Sequence, residues 1–172
     1  MSIFLFLHVL GAIAVFGPTF VFPIIGRQAQ RSPQNGPFAA ALADLIERRV
    51  VIPGAVVQGL TGLALIIIIG VDFSSSAWHW LGVGIALYLV AVVFAVFVQA
   101  PTSEHMVELT KAMAGGPPTA AAAAGAGGNA GGAPAGPPPE IAATAMKLQR
   151  GGMFLTVLIV AIVFLMVVKP TF

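Results

Sequence analysis

Few side chains in this chain can do chemistry, and most of them lie in or beside long apolar runs. His8 is the single ionisable residue of IFLFLHVLGAIAVFGPTFVFPII, residues 3–25. A titratable group inside such a run is costly, so a functional site is its default explanation. His79 stands between Trp78 and Trp80 at the start of another apolar run, and Asp72 lies in the short segment VDFSSSA before it. Neutral imidazole nitrogens are ligands for haem iron and for metals, and a neighbouring carboxylate can complete or orient such a set. His8 and His79 are therefore the candidate cofactor ligands, for haem b or a metal, with Asp72 as a third ligand or an orienting partner. Each also has a plain reading. For His79 it is an interfacial histidine in water; for His8 it is an imidazole bonded to a backbone carbonyl, Gln58 or Thr61.

The remaining polar residues point to weaker chemistry. Gln58 and Thr61 are three apart on one helical face, the spacing of interhelical hydrogen-bonding residues in membranes. Arg27, Arg31, Arg48 and Arg49 cluster in one polar segment. Such a cluster sets topology and contacts anionic lipid headgroups; the alternative is an arginine fork on a propionate or phosphate. His105 and Glu108 share a helical face but read as solvated. With no cysteine in the chain, disulfides, Cys-ligated zinc, iron–sulfur clusters and thiol nucleophiles are excluded. The glycines of 125–132 sit in low-complexity sequence and form no phosphate-binding loop. The apolar runs hold no carboxylate, which argues against a proton pump. No residue set amounts to an enzyme active site.

These groups must be positioned by membrane helices. Hydrophobic residues make up 58% of the 172 and charged residues 8%, against roughly 25% charged in soluble domains; the mean hydropathy is +0.99. Four runs, about residues 3–25, 50–70, 78–99 and 153–168, suit or approach the length that crosses a hydrocarbon core of about 30 Å. The expected fold is all-α: a single integral membrane domain, residues 1–172, built as a four-helix bundle. The first run lacks a basic n-region and is too long for a cleavable signal, so it reads as a retained anchor. Pro18 should kink it. FAAALADLIERR reads as an interfacial helix with Phe38, Leu42, Leu45 and Ile46 opposite Asp44, Glu47 and Arg48. Pro101 should end the third helix, with TSEHMVELTKAM as a separate helix capped by Thr102 or Ser103. Residues 114–139 are almost entirely Gly, Ala and Pro and read as disordered.

Seven of the eight basic residues lie in the segments after the first and third spans (Arg27, Arg31, Arg48, Arg49, Lys111, Lys147 and Arg150), and Lys169 alone lies elsewhere. The positive-inside rule then places both long loops in the cytoplasm, the second long and partly disordered, and both termini on the outer or periplasmic side of the plasma (inner) membrane. The net charge of +2 is a topology signal, and a nucleic-acid partner is not expected.

The strings FLHVLGAIAVFGPTF and ERRVVIPGAVVQGLTGLAL, with a basic loop between them and four spans overall, resemble an uncharacterised bacterial family of predicted integral membrane proteins. That family is itself similar in layout to copper-resistance-D-type domains and to four-helix membrane protoporphyrinogen oxidases. The resemblance implies a histidine early in the first helix, associated in the oxidase type with haem, and here that is His8. The oxidase type also uses a lysine in a later helix; spans two and three here have none, so the correspondence stops at His8. Two functions are carried forward. One is a non-catalytic structural or accessory subunit of a larger membrane complex, with other membrane subunits or a second copy as partner. The other is a haem- or metal-binding membrane protein with His8 as ligand.

Overall fold

The computed structural model of the chain describes residues 2–115 and 138–170, whose regular structure is entirely helical. The principal helices are α1 (Ser2–Phe16), α2 (Phe22–Arg31), α3 (Gly36–Ile46), α4 (Ile52–Ile69), α5 (His79–Phe94), α6 (Ala100–Gly115) and α7 (Pro139–Val168). They join into four stretches long and apolar enough to cross a membrane: Ile3–Arg31, Gly36–Ile69, Ser76–Met113 and Pro139–Val168. Most of the Gly/Ala/Pro stretch expected to be disordered lies outside the described residues.

Each join has a local cause. A 3-10 turn, Gly17–Phe20, separates α1 from α2. Pro18 cannot donate the bond an α-helix would ask of it, and Thr19 is buried there, its hydroxyl donating to Phe16 O at 2.6 Å. Pro101 does not end the third helix, contrary to expectation. The chain runs from α5 through a π-helical turn, Ala95–Gln99, straight into α6. The same device, Glu47–Val51, joins α3 to α4 two residues before Pro53. An α-helix has no room for a proline ring against the carbonyl four residues back. A π turn, bonded five residues back, widens the helix there and leaves that carbonyl free. Thr102 and Ser103 are accordingly helix-interior residues and not caps; the Thr102 hydroxyl donates to Val98 O at 2.6 Å.

The α4 helix ends at Gly70, whose φ of 70° lies in the left-handed region that favours glycine. Gly70 N–H reaches Ile67 O at 3.2 Å and Val71 N–H reaches Ile66 O at 3.2 Å, the paired closure of a Schellman motif.

Packing is by pairs. The α1 helix lies on α4, α5 on α7, and α3 on α6, while α6 and α2 also touch α7. Val15, Ala55, Leu65, Leu81, Leu158 and Ile159 fill the seams. The second and third stretches, of 34 and 38 residues, measure roughly 51 and 57 Å at ~1.5 Å per residue. That exceeds a hydrocarbon core of about 30 Å, so α3, α6 and the start of α7 form a helical head on one side. Along α3 and the π turn after it, Leu42, Asp44 and Ile46 are half-buried and Arg48 is exposed. Phe38 and Leu45 are exposed, and Glu47 is 6% exposed beside the buried Ser103 of α6.

Candidate functional site

His8 sits on α1, half-buried, against the α4 face that carries Gln58 and Thr61. His8 Nδ1 lies 2.9 Å from Thr61 Oγ1, and the Thr61 hydroxyl donates to Gln58 O at 3.0 Å. A hydroxyl has one proton. With that proton on Gln58 O, Thr61 accepts from His8, which assigns the neutral imidazole with its proton on Nδ1.

Gln58 is buried and closes the seam from the other side. Its amide Nε2 donates to His8 O at 2.9 Å and stands 3.1 and 3.2 Å from the two ring nitrogens. The in-plane lone-pair directions of those nitrogens diverge, so an amide equidistant from both lies over the ring face. His8 Nε2 therefore keeps a lone pair that no protein donor meets head-on.

Glycines make this approach feasible. A Cβ on Gly11 would stand 2.7 Å from Gln58 Oε1, and one on Gly62 would stand 3.1 Å from His8 Cε1. One turn away, the Tyr88 hydroxyl of α5 donates to Ala55 O of α4 over Gly59, where a Cβ would fall 2.8 Å from the phenol oxygen. The site is thus a polar seam joining α1 to α4, with Tyr88 bringing in α5.

The other candidates lie apart from it. His79 is exposed at the start of α5. Trp80 is buried beside it, its indole N–H donating to Ala77 O at 2.8 Å, with Lys169 Nζ 5.8 Å from its ring centroid. Asp72 is tied up locally: Ser74 N–H and hydroxyl donate to Oδ1 at 2.9 and 2.6 Å and hold the carboxyl below its usual pKa. Among the described residues, no three of His, Cys, Asp and Glu come together to hold a metal ion.

Haem makes two demands, an axial nitrogen and room for the macrocycle. His8 Nε2 meets the first, and the anchored Nδ1 resembles the outer-shell bond that orients ligating histidines. The seam does not meet the second. Gln58 and the imidazole themselves fill the space over Gly11 and Gly62, so the residues present do not fit a haem held between α1 and α4.

In the helical head, Arg48 donates through Nε to Asp44 at 2.9 Å and through Nη2 to Glu104 at 2.8 Å, with Ala100 O at 3.3 Å. This clamp ties α3 to α6. Its members are largely solvent-facing, so Arg48→Gln is expected to lower stability by under about 1 kcal/mol. The loss should shrink further at roughly 1 M salt, where the screening length is about 3 Å; denaturant titrations at two salt concentrations measure both. The residue that sequence reasoning missed here is Glu47, whose burial is set by a π turn that no local pattern announces.

A family model of predicted integral membrane proteins, DUF2269, matches residues 2–170, the whole of the bundle. The chain belongs to this family. The DUF2269 match takes in all four long apolar stretches and both sides of the His8 seam, so the seam is part of the family domain and not an appendage to it. No curated protein and no solved structure matches the chain.

Proposed function

We propose that this protein is a non-catalytic structural or accessory subunit of a larger membrane complex. The observation that carries the reading is the His8–Gln58–Thr61 seam. The one titratable side chain of the first span, where a reaction centre would be sought, is bonded to a neighbouring helix on one nitrogen and covered by an amide on its face. Other polar groups of the bundle are used alike: Tyr88 on Ala55 O and Gln99 on Leu148 O at 3.3 Å. Such bonds hold helices together without leaving a reactive group facing a substrate. Affinity-tagged full-length protein, extracted from its own membranes in a mild detergent, should carry a second membrane protein in fixed stoichiometry. Recovery as a lone, monodisperse monomer would count against an accessory role.

A second reading, a haem- or metal-binding protein with His8 as ligand, is supported by the free lone pair on Nε2. Any such ligand would approach from the outer edge of α1, since the seam is filled. A reduced-minus-oxidised spectrum with metal analysis, on the wild type and on His8→Ala, decides it. A Soret band or stoichiometric metal lost in His8→Ala establishes this reading; neither in folded wild type ends it.

The charge distribution supports a plasma-membrane protein with both termini outside and the helical head in the cytoplasm. The exposed Arg27, Arg31 and Arg49 contact anionic headgroups there, whereas Arg48 is occupied by Asp44 and Glu104. Because the chain has no cysteine, Ser75→Cys provides a unique thiol. It should react with an impermeant maleimide added outside intact cells, and labelling only after lysis would reverse the orientation.

A further inference from the structure

A cavity of about 410 Å³ opens between the π turn Ala95–Gln99 and the middle of α7. Its floor is apolar. Phe94 and Phe154 meet edge to face, with ring centroids 4.8 Å apart and planes at 63°, and Val98 lies alongside. Its rim is basic, with Lys147 and Arg150 both exposed and neither in an ion pair among the described residues.

Helical spacing aligns these parts. Lys147, Gly151 and Phe154 follow one stripe of α7 at intervals of four and three residues, and Arg150 stands one turn before Phe154. Gly151 lets the two helices close at the base of the cavity. A Cβ there would collide with the Gln99 side chain, whose amide donates to Leu148 O at 3.3 Å. Two cations thus stand at the mouth of the groove, and apolar rings line it where α7 enters its uncharged segment at Met153.

We propose that this groove binds one anionic phospholipid, its phosphate against Lys147 and Arg150 and an acyl chain along Phe94, Val98 and Phe154. The site is separate from the His8 seam and does not depend on the accessory-subunit reading. Charge complementarity selects the phosphate, and the apolar floor selects a lipid over a soluble anion. An adjoining cavity of about 390 Å³ shares Lys147 and Thr102 and adds His105 and Glu140. The Glu140 carboxylate lies seven residues before Lys147, roughly 10 Å along the helix on the side away from Met153. The phosphate therefore sits at the membrane-side mouth, and the polar remainder of the headgroup reaches toward Thr102 and His105.

The test is native mass spectrometry of full-length protein released from detergent. Phosphatidylglycerol, phosphatidylcholine and inorganic phosphate are titrated separately against the wild type, Lys147→Gln/Arg150→Gln, the charge-preserving Lys147→Arg/Arg150→Lys, and Lys169→Gln. Each basic side chain near an anionic headgroup contributes enough that losing two should weaken phosphatidylglycerol binding about thirtyfold. The charge-preserving pair should retain binding, as should Lys169→Gln, which alters the opposite end of α7. Phosphatidylcholine should bind no better to the wild type than phosphatidylglycerol binds to the neutralised pair. Equal retention of the two lipids, undiminished phosphatidylglycerol adducts in the neutralised pair, or displacement of the lipid by millimolar phosphate would each overturn the proposal. Both cations are exposed, so unchanged thermal midpoints in zwitterionic detergent confirm that the variants remain folded.

Discussion

Gly54→Leu should separate α1 from α4 and cause the largest loss of stability of any single change along that seam. A Cβ at Gly54 already overlaps Val15 Cγ2, and Val15 Cβ lies only 3.4 Å away. Val15 is buried and β-branched, so it cannot swing clear as a long side chain would. Even Gly54→Ala sets two effects against each other. Alanine gains up to about 1 kcal/mol of helix propensity over glycine, but overpacking a close contact costs about 1–3 kcal/mol. The second effect prevails, and leucine adds further bulk with no additional propensity gain. Gly82→Ala is the control, because nothing lies within 4 Å of its added carbon. It should be neutral or stabilising by up to about 1 kcal/mol. Mole-fraction SDS titrations followed by circular dichroism rank the variants. A wild-type midpoint for Gly54→Leu would mean that α1 and α4 do not meet closely at Val15 and Gly54.

Gln58→Leu should be the second most damaging change. Leucine keeps most of the volume but removes the donor to His8 O and the amide over the imidazole. The carbonyl keeps its bond within α1 but loses its second donor, and the ring face is left against apolar groups. Interhelical hydrogen bonds in membranes are individually modest, averaging about 0.6 kcal/mol and reaching ~1.7. Gln58 combines several contacts in one side chain, so a loss of about 1–2 kcal/mol is expected. The seam also makes the effect non-additive. Thr61→Val removes the acceptor that holds Nδ1, and in the Gln58→Leu background it should cost less than alone, with a coupling of at least ~0.5 kcal/mol. Strict additivity in the double-mutant cycle would mean that Gln58 and Thr61 do not act on His8 together.

Much of this architecture was legible because hydropathy in a membrane is a long-range and redundant signal. Each apolar run carries its own evidence, and an error in one residue leaves it standing. The four long helices, the break at Pro18 and the pairing of His8 with Gln58 and Thr61 as one of its two readings all follow from residue type and spacing. The failure at Pro101 rests on a rule calibrated for water, in which proline stops a helix. In this bundle a π turn precedes both Pro53 and Pro101 and lets each helix continue, and the first of those turns also carries Glu47 into its buried position.

The amino-acid sequence by itself determined that the chain is an all-helical, four-span membrane protein with a single histidine in its first span. Apolar length and the scarcity of charge leave no other stable arrangement for backbone hydrogen bonds in lipid. Only the tertiary structure decided what His8 does with its two nitrogens. It also showed that Arg48 belongs to an ion-pair clamp and that Lys147 and Arg150 stand at the mouth of an aromatic groove. Those outcomes depend on which helix faces meet, and at Gly11, Gly54, Gly62 and Gly151 they turn on a single missing carbon. Close approach between helices is a property of two surfaces at once, and no one segment encodes it alone.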